Sequence, residues 1–398
     1  LFDEKQPDLN WENKEVRFNI YDMMRWWLDK GIDGFRMDVI NMISKDQSFP
    51  DGDKTPDEDY GDGKPYFLNG PRLYEYIKEM GEEVLFNYDI MTVGETLDFG
   101  VENAKKFSEV NGKELLDMVF HFELMAVDRR DKNKWRKKDI DLQEIKSIYK
   151  KWNHGLYEKG WNAIYLGNHD QPRIVSRFGT DEEYRKKSAK MLATMILTMP
   201  GTPFIYQGEE IGMTNVAFND IGNYRDVETI NHYRIETNKG RSKDQVMKEI
   251  NRVSRDNART PMQWNDDLNA GFTQSTPWIN VNPNYKEINV EKAINNPDSI
   301  YNYYQDMIKI RKNNLGLTYG KYKLILEEHN SVFSYIRKFN EDKYLIILNF
   351  FEQNLSIEIP INNELKEIDL IISNYENIIL NNKGLSLRPY ESLVFKLS

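Results

Sequence analysis

A repeated alternation of helix-period segments with short β-type runs constrains this chain more than any other feature. Asn13 can cap a helix whose apolar residues Val16, Ile20, Met23, Met24, Trp27 and Leu28 follow helical spacing, and Gly31 stands where it would stop. A short strand over residues 32–38 follows at once. Leu73, Ile77 and Met80 then mark a helix before a strand at 90–94, and the segment 101–107 precedes a strand at 118–122. Ile145, Ile148, Tyr149 and Trp152 lead to a strand at 162–167, and a helix at 184–198 leads to a strand at 203–206. A last helix, 300–312, carries Ile300, Tyr303, Tyr304, Met307 and Ile308 on one side. No hairpin signal separates the strands, so the pattern predicts an α/β fold with five parallel strands. Residues 208–298, rich in Asn, Thr, Trp and Pro, read as irregular excursions. After Gly316 the texture changes to short β runs at 324–326, 332–337, 344–349, 355–359, 368–371 and 385–397, the mark of a small all-β domain.

Composition narrows the function classes. At 398 residues the chain has two to three domains' worth of length and ample core. Its 39% hydrophobic and 30% charged residues argue against disorder, and a net charge of −10 offers no basic face for nucleic acid. With no cysteine, disulfides, Cys-ligated zinc and thiol catalysis are excluded, and a reducing cytoplasm fits. The longest apolar stretch, 191–206, is broken by Pro200-Gly201 and Pro203, so it reads as a buried helix running into a strand and not as a membrane span. No signal peptide is visible. The charged run 128–139, with seven basic and three acidic residues, reads as a solvated face.

Three acids stand where predicted parallel strands end. Asp38 closes Gly-Phe-Arg-Met-Asp (34–38), Glu95 closes Thr-Val-Gly-Glu (92–95), and Asp170 closes Gly-Asn-His-Asp (167–170). Ligands of parallel α/β folds bind at that end of the strands. Each acid alone is as readily a helix cap or an ion-pair partner; three such placements by chance are much rarer. Arg36 can pair with Asp38 structurally, a geometry that also keeps a carboxylate ionised and nucleophilic. His169, beside Asp170, serves a ligand as readily as a core. Glycoside hydrolysis needs this set: an ionised carboxylate, a proton-donating carboxyl and a hydrogen-bonding acid. Aromatic residues, 13% of the chain, suit sugar rings, although most belong to ordinary packing.

Read in order, these segments resemble the strand-end motifs of the α-amylase-type family of retaining glycoside hydrolases, in its oligo-1,6-glucosidase branch. Gln-Pro-Asp-Leu-Asn-Trp (6–11), Gly-Phe-Arg-Met-Asp-Val-Ile-Asn (34–41), Asn-His-Asp-Gln-Pro-Arg (168–173), Tyr-Gln-Gly-Glu-Glu-Ile-Gly-Met (206–213) and Arg-Asp-Asn-Ala-Arg-Thr-Pro-Met-Gln-Trp (255–264) carry the likeness, which extends through the β-rich tail. The resemblance implies that Asp38 is the nucleophile forming a β-glycosyl-enzyme and that Glu95 is the acid/base. It implies that Asp170 and His169 grip sugar hydroxyls, that Arg36 holds Asp38 ionised, and that Arg255 or Arg259 contacts substrate. Val39, directly after the nucleophile, goes with α-1,6 bonds in this branch. It does not separate isomaltose-type substrates from trehalose 6-phosphate, for whose phosphate the basic run 128–139 is available.

The resemblance also implies a (β/α)8 barrel, of which this chain shows the last five strands, over 1–316, followed by a β-sandwich domain over 317–398. The family's calcium loop has no counterpart here, and neither a metal nor another cofactor is expected. The expected partner is a small oligosaccharide, with neither nucleic acid nor membrane, and the expected state is a monomer. Five strands leave open edges, so the expectation for residues 1–398 alone is an inactive, aggregation-prone fragment of a parent α-glucosidase. Two alternatives keep the scaffold. A catalytically dead interaction module would have lost the acids and gained a membrane span. A sugar-transferring or isomerising enzyme would differ in how water is kept from the intermediate.

Overall fold

The computed structural model describes residues 1–54, 60–108, 115–131, 133–358, 368–381 and 384–397. The chain forms two compact units, Leu1–Glu123 with Lys151–Ala163 and Leu124–Lys150 with Ile164–Ser398.

In the first unit the helix Lys14–Asp29 starts where expected, because the Asn13 side chain accepts a hydrogen bond from the Glu15 amide (2.9 Å). Its buried stripe is Arg17, Tyr21, Met24 and Leu28, whereas Met23 and Trp27 of the predicted apolar set are exposed. Arg17 tolerates burial because Glu79, on the helix Leu73–Glu83, pairs with it at 2.5 Å and the Trp11 carbonyl accepts from it at 2.7 Å. The strands Gly34–Met37, Met91–Thr96, Met118–His121 and Trp161–Ile164 follow. They pair in parallel, with Gly34 opposite Met91, Val93 opposite Met118, and Met118 opposite Trp161. Gly34 is required at its position: φ is 149° and a Cβ would lie 1.8 Å from the Met91 carbonyl oxygen. Parallel register puts partners on one face, so the face carrying Arg36 and Val93 continues into Asp38 and Glu95.

In the second unit the helix Arg185–Thr198 is buried throughout its last eleven residues, as its apolar run requires. It ends at Thr198, two residues before Pro200, and the strand that follows is reduced to Thr202–Pro203, shorter than predicted, with the Phe204 amide donating to the Ile164 carbonyl (2.7 Å). The orphan carbonyls at that helix end are satisfied by the buried guanidinium of Arg311, which donates to Leu197, Met199 and Gly201. Two departures concern the segments read as a solvated run and as excursions. Arg129–Arg130 and Asn133–Lys137 pair as an antiparallel hairpin between parallel strands. Helices Val227–Asn238 and Lys243–Val253 occupy part of 208–298. The second of these buries Val246, Met247, Ile250 and Val253, a legible helical stripe.

The all-β tail is also in the second unit. Its main sheet is antiparallel, in the order Ile368–Ser373, Ser392–Leu397, Asp342–Asn349, Val332–Phe339, Lys321–Ile325. Leu355–Ile357, Gly384–Leu387 and Ile379–Asn381 form a second sheet. Between them lies a core of Val332, Leu345, Ile347, Ile357, Leu385 and Phe395. Ile359, the predicted end of one strand, lies outside the described residues, as does Lys132 of the charged run.

Candidate active site

Arg36, Asp38, Val39 and Glu95 come together in the first unit. Asp38 is the first residue beyond its strand, and Glu95 is the next-to-last residue of the adjacent one. The Arg36 guanidinium contacts both acids, Nη1 on Asp38 Oδ1 and Nη2 on Glu95 Oε2. The expected partnership with Asp38 is present, and the second contact, to Glu95, lay beyond a local reading. The two acids differ in exposure: the Asp38 side chain is 68% accessible and that of Glu95 13%. Val39 has φ 37° and ψ 41°, an unusual left-handed conformation for a β-branched residue, which turns the chain sharply after Asp38.

His169, Asp170, Arg255 and Arg259 come together in the second unit. The preceding strand ends at Ile164, earlier than predicted, so Asp170 stands in the turn that follows and not at the strand end. Arg259 Nη2 donates to Asp170 Oδ1 at 2.5 Å, and Arg259 Nε donates to the His169 carbonyl at 3.0 Å. Arg255 Nε is 3.9 Å from Asp170 Oδ1 and its Nη2 is 3.4 Å from Glu228. His169 Nε2 is 3.8 Å from Asp170 Oδ1. Of the two arginines of their motif, Arg259 is therefore the one hydrogen-bonded to the acid.

Arg173, the last residue of Asn-His-Asp-Gln-Pro-Arg, went unassigned in the sequence and organises this cluster of the second unit. It is 3% exposed and donates to the Gln207 (2.6 Å), Asn257 (3.0 Å) and Ala258 (3.1 Å) carbonyls. One side chain thus ties together three separately recognised motifs, 168–173, 206–213 and 255–264. The only local hint was an arginine at the end of a motif. The charged run 128–139 also departs from a purely solvated face. Asp128 is buried and accepts from Arg177 at 2.6 and 3.0 Å, Arg129 donates to Gln171 at 3.1 Å, and Lys134 pairs with Glu228 at 2.5 Å. With Asp170 and Gln171 they line a small polar pocket.

Among the described residues no group of three His, Asp or Glu side chains is placed to hold a metal ion, and no helix is long and apolar enough to cross a membrane.

The alpha amylase catalytic-domain profile matches residues 1–320, and that of the C-terminal domain of the alpha-amylase SusG matches 332–394. The chain is 52% identical over 400 residues to an oligo-1,6-glucosidase of Bacillus cereus, covering all of this chain and 71% of that protein. Among solved structures, the trehalose-6-phosphate hydrolase TreA of Bacillus licheniformis superposes with a TM-score of 0.92 at 45% identity, over 100% of this chain and 71% of that one. The isomaltulose synthase PalI of Klebsiella sp. LX3 gives 0.91 at 38% identity, with the same coverage. Paired acids on adjacent parallel strands, an arginine between them, an all-β C-terminal domain and these matches lead to one conclusion: the chain belongs to the alpha-amylase family of glycoside hydrolases.

Proposed function

We propose that the protein is a retaining α-glucosidase acting on α-1,6 bonds of isomaltose and short oligosaccharides. The observation that carries this reading is the Arg36 guanidinium in contact with both Asp38 and Glu95 on one face of adjacent strands. In the first step an Asp38 carboxylate oxygen attacks C1 while Glu95 gives its proton to the departing glycosidic oxygen, leaving a β-glucosyl ester. In the second, Glu95 takes a proton from water, the hydroxide oxygen bonds to C1, and Asp38 departs as carboxylate. Two inversions give net retention. Asp170 and His169 hold sugar hydroxyls, Arg259 orients Asp170, and Val39 shapes the site toward the α-1,6 linkage. The five parallel strands belong to a (β/α)8 barrel, the catalytic part running to 316 and the all-β part from 317.

A second reading, hydrolysis of trehalose 6-phosphate, is supported by the likeness to TreA. The full-length protein, followed by proton NMR on isomaltose, maltose and trehalose 6-phosphate, separates the two. Isomaltose should be cleaved fastest, with α-glucose appearing before mutarotation, and Asp38→Ala should abolish turnover. Release of the non-reducing glucosyl unit as the β anomer, over and above the α/β mixture that the reducing-end glucose brings, would refute the double displacement, and a preference for trehalose 6-phosphate would replace the first substrate class by the second.

A further inference from the structure

Asn41 ends the motif that holds Asp38 and Val39, and it is 1% exposed. Its Oδ1 accepts from the Leu97 amide (3.2 Å), while its Nδ2 donates to the Leu97 carbonyl (2.7 Å) and to Asn69 Oδ1 (2.9 Å). Asn69 closes the circuit, its backbone N–H donating to the Asn41 carbonyl (2.9 Å) and its Nδ2 to the Asp98 carbonyl (3.1 Å). The side-chain amide therefore pairs with both polar groups of Leu97, as the backbone of a neighbouring strand would. It extends the pairing of the two strands beyond Met37 and Gly94, where the ladder stops.

The site of this contact matters. Leu97 follows shortly after Glu95, and Asn41 shortly after Asp38. Between Asp38 and Asn41 stands the left-handed Val39, a strained backbone that persists only where the surroundings over-determine it. The Met42 amide bonding to the Val39 carbonyl (2.9 Å) and the buried Ile40 and Met42 supply part of that restraint, and Asn41 supplies the rest. We infer that Asn41 is a positioning residue that sets the spacing of Asp38 and Glu95 by locking the turn after the one onto the loop after the other through Leu97. The inference rests on the catalytic roles proposed above. A double displacement tolerates little error in that spacing, since about 1 Å of misplacement can cost roughly a hundredfold in rate.

The test uses the full-length protein with Asn41→Ala, Asn41→Asp, Asn69→Gly and the control Asp38→Ala. Hydrogen exchange comes first: the Leu97 amide should be protected in the wild type and exchange at least tenfold faster in Asn41→Ala. On isomaltose, Asn41→Ala should lower kcat about 10- to 100-fold with KM within about threefold, after normalising to folded protein. Asn41→Asp keeps the acceptor but sets an oxygen against the Leu97 carbonyl and Asn69 Oδ1. Its rate relative to wild type should therefore rise as pH falls from 8 to 5 and the carboxyl regains a proton. Asn69→Gly, which suits the local φ of 52°, removes one partner and should give a smaller loss of the same kind if Asn41→Ala fails to fold. An unprotected Leu97 amide in the wild type overturns the clamp whatever the activity. So does an Asn41→Ala kcat within threefold of wild type beside an inactive Asp38→Ala. An active Asp38→Ala overturns the catalytic reading itself.

Discussion

Glu209 offers a test of how the motif 206–213 is held within the second unit. It is 3% exposed, and neither carboxyl oxygen has a hydrogen-bond partner among the described residues. Burial, reinforced by neighbouring Glu210, pushes its pKa up from 4.5 to about 8; the Tyr206 amide and the Arg173 guanidinium oppose the shift, although neither donates to a carboxyl oxygen. Between pH 4.5 and about 8 the folded chain therefore keeps a proton that the unfolded chain has lost. Stability from this group is complete at low pH and is lost as pH rises through that window, with a slope of about 1.4 kcal/mol per pH unit. From pH 5 to pH 8 the loss amounts to about 3 to 4 kcal/mol. Glu209→Gln removes the titration, and whatever the unpartnered amide costs is the same at every pH. Urea unfolding of both proteins at pH 5, 6, 7 and 8 should show wild-type stability falling by that amount relative to the variant. A difference between them that stays constant within about 1 kcal/mol would mean an ionised Glu209 at neutral pH, and the reasoning from burial would be wrong. The packing around it is close, since a Cβ at Gly167 would lie 2.8 Å from Glu209 Oε1.

Two further perturbations address the other elements of the site. Arg173→Lys cannot span the Gln207, Asn257 and Ala258 carbonyls at once, and should destabilise by about 3 kcal/mol in urea titration and weaken the hold of Arg259 on Asp170. Wild-type stability in that variant would remove Arg173 as the tie among the three motifs. Val39→Thr should raise the ratio of kcat/KM on maltose to that on isomaltose about tenfold or more, an effect of about 1.4 kcal/mol, and an unchanged ratio would detach residue 39 from linkage choice.

Features set by a few neighbouring residues were readable in advance. The Asn13 cap, the parallel strands and the acid after Arg-Met all depend on local spacing, as do the buried helix running into Pro200 and the short strands of the tail. The helix Val227–Asn238 escaped notice because only Thr229 on it is buried, so it has no apolar stripe to read. The hairpin at 129–137 escaped notice because its residues are mostly charged, and it is held by ion pairs more than by hydrophobic alternation.

By itself the sequence determined which chemistry is available: which carboxylates exist and which family motifs surround them. Tertiary structure alone decided how those groups are held. Arg36 reaches Glu95 because two strands lie side by side in one register. Asn41 reads Leu97, and Arg173 gathers carbonyls from segments as far as 84 and 85 residues away. Periodicity and capping carry the local half of the fold because their hydrogen bonds close within a turn or a strand. The bonds that orient a site run between distant segments, and a polar side chain acquires such partners only once the chain has folded.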